Sequence, residues 1–475
     1  MSSGFSSRWG LMLAMLGMAV GTGNIWRFPR IAATNGGGSF LVAWVVFLFL
    51  WSVPLIIAEF AMGKQLRRGP LGVFRHFLGD RFTWMGAWVA WLVAAIGFYY
   101  AVVMGWTIRF LAGAVMGELG GGGSERLWGE LAFSPHSVVF QVIAVLLGAA
   151  VVYFGVSGIE RFAKVLMPAL VLLVVVLAVR AVTLPGAGAG LAFLFTPDWS
   201  ELGNYRVWLE ALAQNAWDTG AGWGLVLAYA IYSRRQEDTN LNSFLLAFGN
   251  NSISLLAGIL VLSTVFARRP EAASEIVGAG NEGLTFIWVP RLFDEIPGGS
   301  VFMVLFFLAL VFAAWTSLVS MFEVGLRMLT DLGFRRRPAL LGFAAVVLAA
   351  GLPSALIEPV FRNQDFVWSV GLMVAGLFFA LAVLRYGVGR FRREFVNTPD
   401  QDLHIGGWWE WSMRLVVVQA VILIAWWFWQ VREVDWLSRE GLGNMLLQWG
   451  ASMGLFVLLN GWFLRRLRRA GSTSR

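Results

Sequence analysis

Twelve stretches of the chain are apolar for long enough to cross a bilayer, at 10–30, 39–62, 84–113, 137–155, 161–183, 204–232, 241–267, 299–330, 338–353, 365–388, 411–431 and 443–464. A helix needs about 20 apolar residues to span the hydrocarbon, so the pattern predicts an all-α membrane protein of twelve crossings joined by short connections. The apolar run after Arg8 outlasts a signal peptide and ends in Asn24-Ile25-Trp26-Arg27-Phe28-Pro29 without a small-residue cleavage site. It therefore reads as the first permanent helix. Residues 268–297 mix polar and apolar positions and read as a structured outer loop resting on the bundle, whereas Gly117 to Ser124, rich in glycine, reads as a flexible outside loop.

Composition agrees with this pattern, since 58% of the 475 residues are hydrophobic and only 13% charged. The net charge of +8 does not point to nucleic acid, because the basic residues lie in short runs between apolar stretches. Such runs occur at Lys64 to Arg81, Arg161 and Lys164, Arg234 and Arg235, Arg335 to Arg337, Arg390 to Arg393 and Arg465 to Arg469, and alternate loops are poorer in excess base. The positive-inside rule then puts the basic loops and both termini of this multi-pass protein in the cytoplasm. Absent cysteine excludes disulfides and thiolate chemistry, and the three histidines fall in polar connections, which argues against a histidine proton relay in the membrane.

Two stretches carry closely spaced glycines: Gly17, Gly21 and Gly23 in the first, and Gly220, Gly222 and Gly224 in the sixth. Each costs a helix about 1 kcal/mol relative to alanine, so both segments are expected to unwind midway. Freed backbone groups survive in a bilayer only inside protein or beside a wet cavity, and a substrate or ion is the usual occupant. The other reading is that the glycines let helices pack closely. Asn24, Asp218 and Thr219 beside the breaks favour the first. The two breaks lie five segments apart, as expected if 10–183 and 204–388 are inverted repeats, with 411–464 adding helices eleven and twelve to one transporter domain.

The residues that carry this pattern resemble the neurotransmitter:sodium symporter family over almost the whole chain. The most specific strings are Gly21-Thr22-Gly23-Asn24-Ile25-Trp26-Arg27-Phe28-Pro29, Asn35-Gly36-Gly37-Gly38-Ser39-Phe40, Glu59-Phe60-Ala61-Met62-Gly63 and Gly158-Ile159-Glu160-Arg161-Phe162-Ala163-Lys164. The resemblance, to bacterial members above all, implies a LeuT-type fold with a 5+5 inverted repeat and broken helices 1 and 6, in a bacterial inner membrane. It also implies a sodium site made by the carbonyls of Gly17, Val20 and Ala313 with the hydroxyls of Thr316 and Ser317, an all-oxygen set that suits a hard cation. Those two hydroxyls have an alternative, bonding back to their own helix. A second sodium site would use Ala19, Asn24, Asn250 and position 218, where many family members carry Ser or Thr and this chain has Asp218.

The family balances its ions with a Glu on helix seven or a bound chloride. Here the helix-seven position is Ser254, so the expectation is that Asp218 ligates sodium and makes chloride unnecessary. Asp218 has other readings: a proton-coupling group, a partner for the substrate amine, or an N-cap for the second half of helix six. The resemblance places the substrate carboxylate at Gly21, Thr22, Gly23 and Tyr100, and its side chain among Ile96, Trp217, Gly220, Trp223, Ser317 and Met321. Gly21 stands where monoamine carriers have Asp, which favours an amino acid or similar small zwitterion.

Arg27 and Asp365 are the expected outer gate, unless each is simply a hydrated charge, and Tyr232 and Asp331 the expected inner one. The usual N-terminal partners of the inner gate are replaced by Ser2 and Phe5, with Arg8 a substitute. Glu59 and Glu323 are expected to satisfy freed helix groups in the core. The function expected is sodium-coupled import of the solute by alternating access. The alternatives are a proton-coupled carrier of the same fold using Asp218, and a non-transporting membrane receptor. No nucleophile-and-base set and no phosphate-binding loop supports an enzyme or a pump.

Overall fold

The computed structural model describes residues 4–472, with backbone only for Gly471 and Ser472, so Ser2 lies outside the described residues. Every apolar stretch forms helix. The unbroken spans are α2 (Gly38–Leu66), α3 (Asp80–Met116), α4 (Pro135–Tyr153), α5 (Gly155–Val182), α7 (Thr239–Arg268), α8 (Gly299–Asp331), α9 (Arg336–Leu356), α10 (Glu358–Tyr386), α11 (Trp408–Gln430) and α12 (Leu442–Ala470). The first span is two pieces, α1a (Arg8–Ala19) and α1b (Gly23–Thr34), bent by 54°. The sixth is α6a (Tyr205–Asp218) and α6b (Leu225–Ala230), separated by an unwound turn. α3 forms the axis: its most apolar window is 94% buried, against 33% for α4 and 22% for α12, which face outward.

The break in α6 follows from its glycines. Gly220, Gly222 and Gly224 take φ of 69°, 85° and 78°, left-handed values that side-chain-bearing residues resist. A Cβ on Gly222 would also lie 2.7 Å from Gly376 Cα, so α10 closes against bare backbone there. Neighbours take up several of the freed groups. Glu59 on α2 accepts from Gly222 N at 2.6 Å and Leu227 N at 3.2 Å. The indole of Trp223 donates to Ala216 O at 2.9 Å, and Thr219 Oγ1 donates to Asn215 O at 2.8 Å.

A π turn over Leu48–Ser52, just before Pro54, re-aims α2 so that Ser52 Oγ meets Asn215 Oδ1 at 3.1 Å and receives Thr219 Oγ1 at 3.1 Å. α2 is thus the splint of the broken helix. Glu59→Gln puts an amide nitrogen where one of these donors needs an acceptor, so about 1–3 kcal/mol of stability should be lost. Thermal unfolding in detergent checks this, and an unshifted midpoint would remove the splint role.

The break in α1 is different in kind. None of its glycines has positive φ; the chain turns at Val20, which is extended at φ −74°, ψ 107°. Here side chains hold the freed groups. Gly21 N donates to Asn24 Oδ1 at 2.7 Å, and Thr22 N donates to Tyr100 OH at 3.2 Å.

Two details depart from the sequence reading. α10 begins at Glu358, seven residues before the apolar run, because Pro359 starts a helix whose first two turns are polar and project beyond the apolar zone. Asp365 therefore sits inside a helix rather than near its end. Gly117 to Ser124 is an ordered turn, tied by Arg109–Glu118 at 2.8 Å and by Gly121 N to Asp294 at 3.0 Å, leading into a helix at Gly123. The 268–297 segment does rest on the bundle, with Phe286 stacked 4.9 Å from Trp128 and edge-on to Trp26.

Candidate functional site

The two breaks lie at the floor of one cavity of about 290 Å³, whose lining includes Met18, Ala19, Gly21, Thr22, Gly23, Asn24, Tyr100, Trp217, Asp218, Gly220, Trp223, Ser317 and Met321. Gly21 is forced to be small, because a Cβ there would stand 2.7 Å from Ser317 Oγ and 3.2 Å from Tyr100 OH. Gly23, at the start of α1b, has open space where a Cβ would be. The floor therefore offers a helix N-terminus, a phenol and a threonine hydroxyl to a ligand, an arrangement that suits a carboxylate. Beside it lie apolar walls: Met18 Sδ would be 3.1 Å from a Cβ on Gly220, and the Trp217 and Trp223 rings meet edge-on at 5.7 Å.

Ile96 was expected in these walls and is not there. It is fully buried one turn from Tyr100, outside the lining, and Val103 on the same helix faces the cavity instead. The sequence gives no sign of this, since the two positions are seven residues apart on one face of α3 and differ in depth, by about 10 Å along the helix. Met18 and Met373 were also missed. Met18 had a signal, lying between Gly17 and Gly21, whereas Met373 lies on a helix that carries no break.

Behind the floor, two oxygen clusters take up the positions expected for cations. In the first, Val20 O lies 3.5 Å from Thr316 Oγ1 and 3.4 Å from Ser317 Oγ. Thr316 Oγ1 is also 3.0 Å from Ala313 O, and a Cβ on Gly17 would touch Thr316 at 3.3 Å, so all five expected residues converge. Thr316 bonds back to its own helix as well, at 3.0 Å to Phe312 O. The helical back-bond and the shared cluster thus coexist.

In the second cluster, Asn24 Nδ2 donates to Asn250 Oδ1 at 2.9 Å and Ser254 Oγ at 2.7 Å. Asp218 Oδ2 accepts from Ser254 Oγ and Gln214 Nε2, each at 3.2 Å. Its other oxygen, Oδ1, is buried with no hydrogen-bond partner among the described residues. A buried carboxylate oxygen left alone is costly unless a cation or proton meets it. That orphan oxygen, among oxygen-bearing neighbours, fits a hard cation. Asp218 ends α6a rather than beginning α6b, so the N-cap reading does not hold.

The cavity opens past Arg27, Arg30, Glu282, Arg362, Asp365 and Glu440. Arg27 and Asp365 face this mouth without forming an ion pair: Arg27 donates to Gln214 at 2.9 Å and lies 5.4 Å over Trp217. The pair expected to form the outer gate is thus apart in this structure.

The opposite end is shut, though not by the expected contact. Tyr232 OH donates to Glu323 at 2.8 Å, and Asp331 pairs with Arg327 at 3.0 Å, so Tyr232 and Asp331 meet only through Arg327, which lies over the Tyr232 ring. Glu323 accordingly serves an ion pair with Arg336 at 2.7 Å rather than freed helix groups. Arg8 donates to Asn242 instead of joining the gate.

The seal uses the N-terminal arm. Phe5 N donates to Tyr232 O at 3.1 Å, and Glu160 accepts from Ser6 N at 2.7 Å and Ser6 Oγ at 2.5 Å while pairing with Lys164 at 2.7 Å. Glu160→Gln should loosen this arm and raise labelling of a single cysteine introduced on α1a, a clean readout because the chain has none of its own. Unchanged labelling would contradict the role given to the arm.

Comparison with known proteins gives a consistent picture. The model of the sodium:neurotransmitter symporter family matches residues 3–132 and 132–463. An uncharacterized sodium-dependent transporter of Methanocaldococcus jannaschii is 30% identical over 463 residues, covering 89% of each chain. The sodium-dependent serotonin transporter of Drosophila melanogaster is 28% identical, covering 80% of this chain and 69% of its own. Among solved structures, MhsT in complex with L-phenylalanine superposes with a TM-score of 0.78 at 29% identity, covering 89% of this chain and 99% of the other.

Proposed function

The chain belongs to the sodium:neurotransmitter symporter family, a family of sodium-dependent transporters with the LeuT-type fold, and from that premise we propose that it imports a large apolar amino acid together with sodium. The observation that carries the substrate class is the cavity floor, where the open space at Gly23, beside Gly21, Thr22 and Tyr100, can receive a carboxylate. The walls of Met18, Trp217, Trp223 and Met321 around Gly220 then receive an apolar side chain. The complex of MhsT with L-phenylalanine supports an aromatic one.

In this reading one sodium ion is held by Gly17, Val20, Ala313, Thr316 and Ser317, and a second by Ala19, Asn24, Asn250 and Asp218. The carboxylate of Asp218 supplies the negative charge on the protein, so chloride is not required. Sodium drives import because it binds the outward-open form better than the inward one, and that difference is what biases the two states. Residues 10–183 and 204–388 are inverted repeats, the bundle of helices 1, 2, 6 and 7 drawn from both rocks against the rest, Arg27 and Asp365 close over the bound solute, and Tyr232 and Asp331 belong to the inner seal. The protein sits in the inner membrane with both termini in the cytoplasm.

Uptake of labelled L-phenylalanine into proteoliposomes tests this. Accumulation is expected under an inward sodium gradient, with gluconate replacing chloride at no cost. Accumulation driven by a proton gradient without sodium would replace this reading by one in which Asp218 carries a proton.

A further inference from the structure

On the flank of the bundle, apart from the substrate cavity, a second cavity of about 460 Å³ opens sideways between α3, α8, α9 and α12. Its lining is apolar or aromatic throughout, with the single exception of Arg335. On α9 the lining runs from Pro338 to Val346, roughly 12 Å along the helix, and Gly342 and Val346 are exposed on the outer face. In a membrane this trough faces lipid. It is deep because Gly325 lets the Phe343 ring lie against α8, where even a methyl group would collide at 2.3 Å.

One polar group stands in the lining where α8 turns into α9: Arg335, which is exposed and pairs with no carboxylate among the described residues, although Arg327 and Arg336 are both paired. Arg466 on α12 adds a further positive charge, lying 4.8 Å over the ring of Phe334 at the same mouth. Cations at the mouth and an apolar trough behind them match the phosphate and acyl chain of a phospholipid. An uncharged acyl chain alone would leave both cations unmatched.

We propose that this crevice is a binding site for one anionic glycerophospholipid, with its phosphate on Arg335 and an acyl chain between α3 and α9. The two helices it would brace, α3 and α8, carry Tyr100 and Ser317 of the substrate cavity.

The test uses the full-length protein, stripped of lipid in detergent, incubated with phosphatidylglycerol or phosphatidylcholine of identical chains and examined by native mass spectrometry. One phosphatidylglycerol per chain is expected, held roughly tenfold more tightly than phosphatidylcholine, as befits one charge-assisted contact. Arg335→Gln should erase that preference. Gly342→Leu should plug the trough and abolish retention of both lipids, because a Cβ at Gly342 meets nothing within 4 Å and so enters open space. Neither residue lines the substrate cavity, so sodium-dependent phenylalanine binding should persist in both variants and report that they are folded. Equal retention of the two lipids, undiminished retention by Gly342→Leu, preferential capture of free fatty acid, or a dimer that Gly342→Leu dissociates would each overturn the proposal.

Discussion

Asp218→Asn is expected to cut the sodium affinity of transport by roughly 30-fold or more, or to make uptake require chloride. The carboxylate is buried, one oxygen is shared by Gln214 and Ser254, and the other has no hydrogen-bond partner among the described residues. Removing one member of a buried charged contact costs about 2–5 kcal/mol. Each 1.4 kcal/mol is a factor of ten in affinity. The side chain keeps its size in this variant, so packing around α6a should survive while the charge is lost. Sodium titration of phenylalanine uptake, in chloride and in gluconate, reads the effect directly. Kinetics with unaltered requirements for both ions would remove Asp218 from the coupling machinery.

Tyr100→Phe should raise the apparent KM for phenylalanine by roughly 10- to 100-fold, from about 1.5–3 kcal/mol of lost hydrogen bonding to a charged group. Two effects act together. The phenol oxygen accepts from Thr22 N and Thr22 Oγ1, both at 3.2 Å, so its loss leaves a buried donor at the α1 break unpaired. It also removes the hydroxyl assigned to the substrate carboxylate. Inhibition by phenethylamine, which lacks that carboxylate, separates the two: it should change far less than inhibition by phenylalanine. Equal losses for both compounds would mean that Tyr100 holds the backbone and does not touch the ligand.

The breaks were legible in the sequence because they rest on local chemistry. Three glycines within five residues cannot propagate a helix, and Gly220, Gly222 and Gly224 all adopt left-handed backbone. Glu59 was legible in part, as a carboxylate too deep to be idle. In the first break the same inference reached the right segment for an incomplete reason. Its glycines take ordinary backbone angles; Gly21 is there for clearance from Ser317 and Tyr100, and the turn falls at Val20. Clearance depends on which helix comes alongside, which no local pattern records.

What was not legible depends on depth and on long-range pairing. Ile96 and Val103 are equally apolar and share one face of α3, and only the depth to which the cavity reaches decides that Val103 lines it. The polar start of α10 looked like a connection because hydropathy detects lipid contact, and these turns face the vestibule instead. Glu323 and Asp331 were placed on the right helix with the wrong partners, since Arg336 and Arg327 reach them through side-chain geometry. The arm that seals the closed end joins residues 154 positions apart, Ser6 and Glu160. Nothing about either residue alone announces the other.

The central claim is that two interrupted helices present oxygen atoms and bare peptide groups to a cation and an amino acid at one floor, so that each ligand completes the site of the other. Equilibrium binding of labelled L-phenylalanine to the purified protein, with sodium varied against choline at constant ionic strength, tests it most directly. The account predicts that phenylalanine affinity rises steeply with sodium whether chloride or gluconate is the anion. Phenylalanine binding of equal strength in choline and in sodium would contradict it.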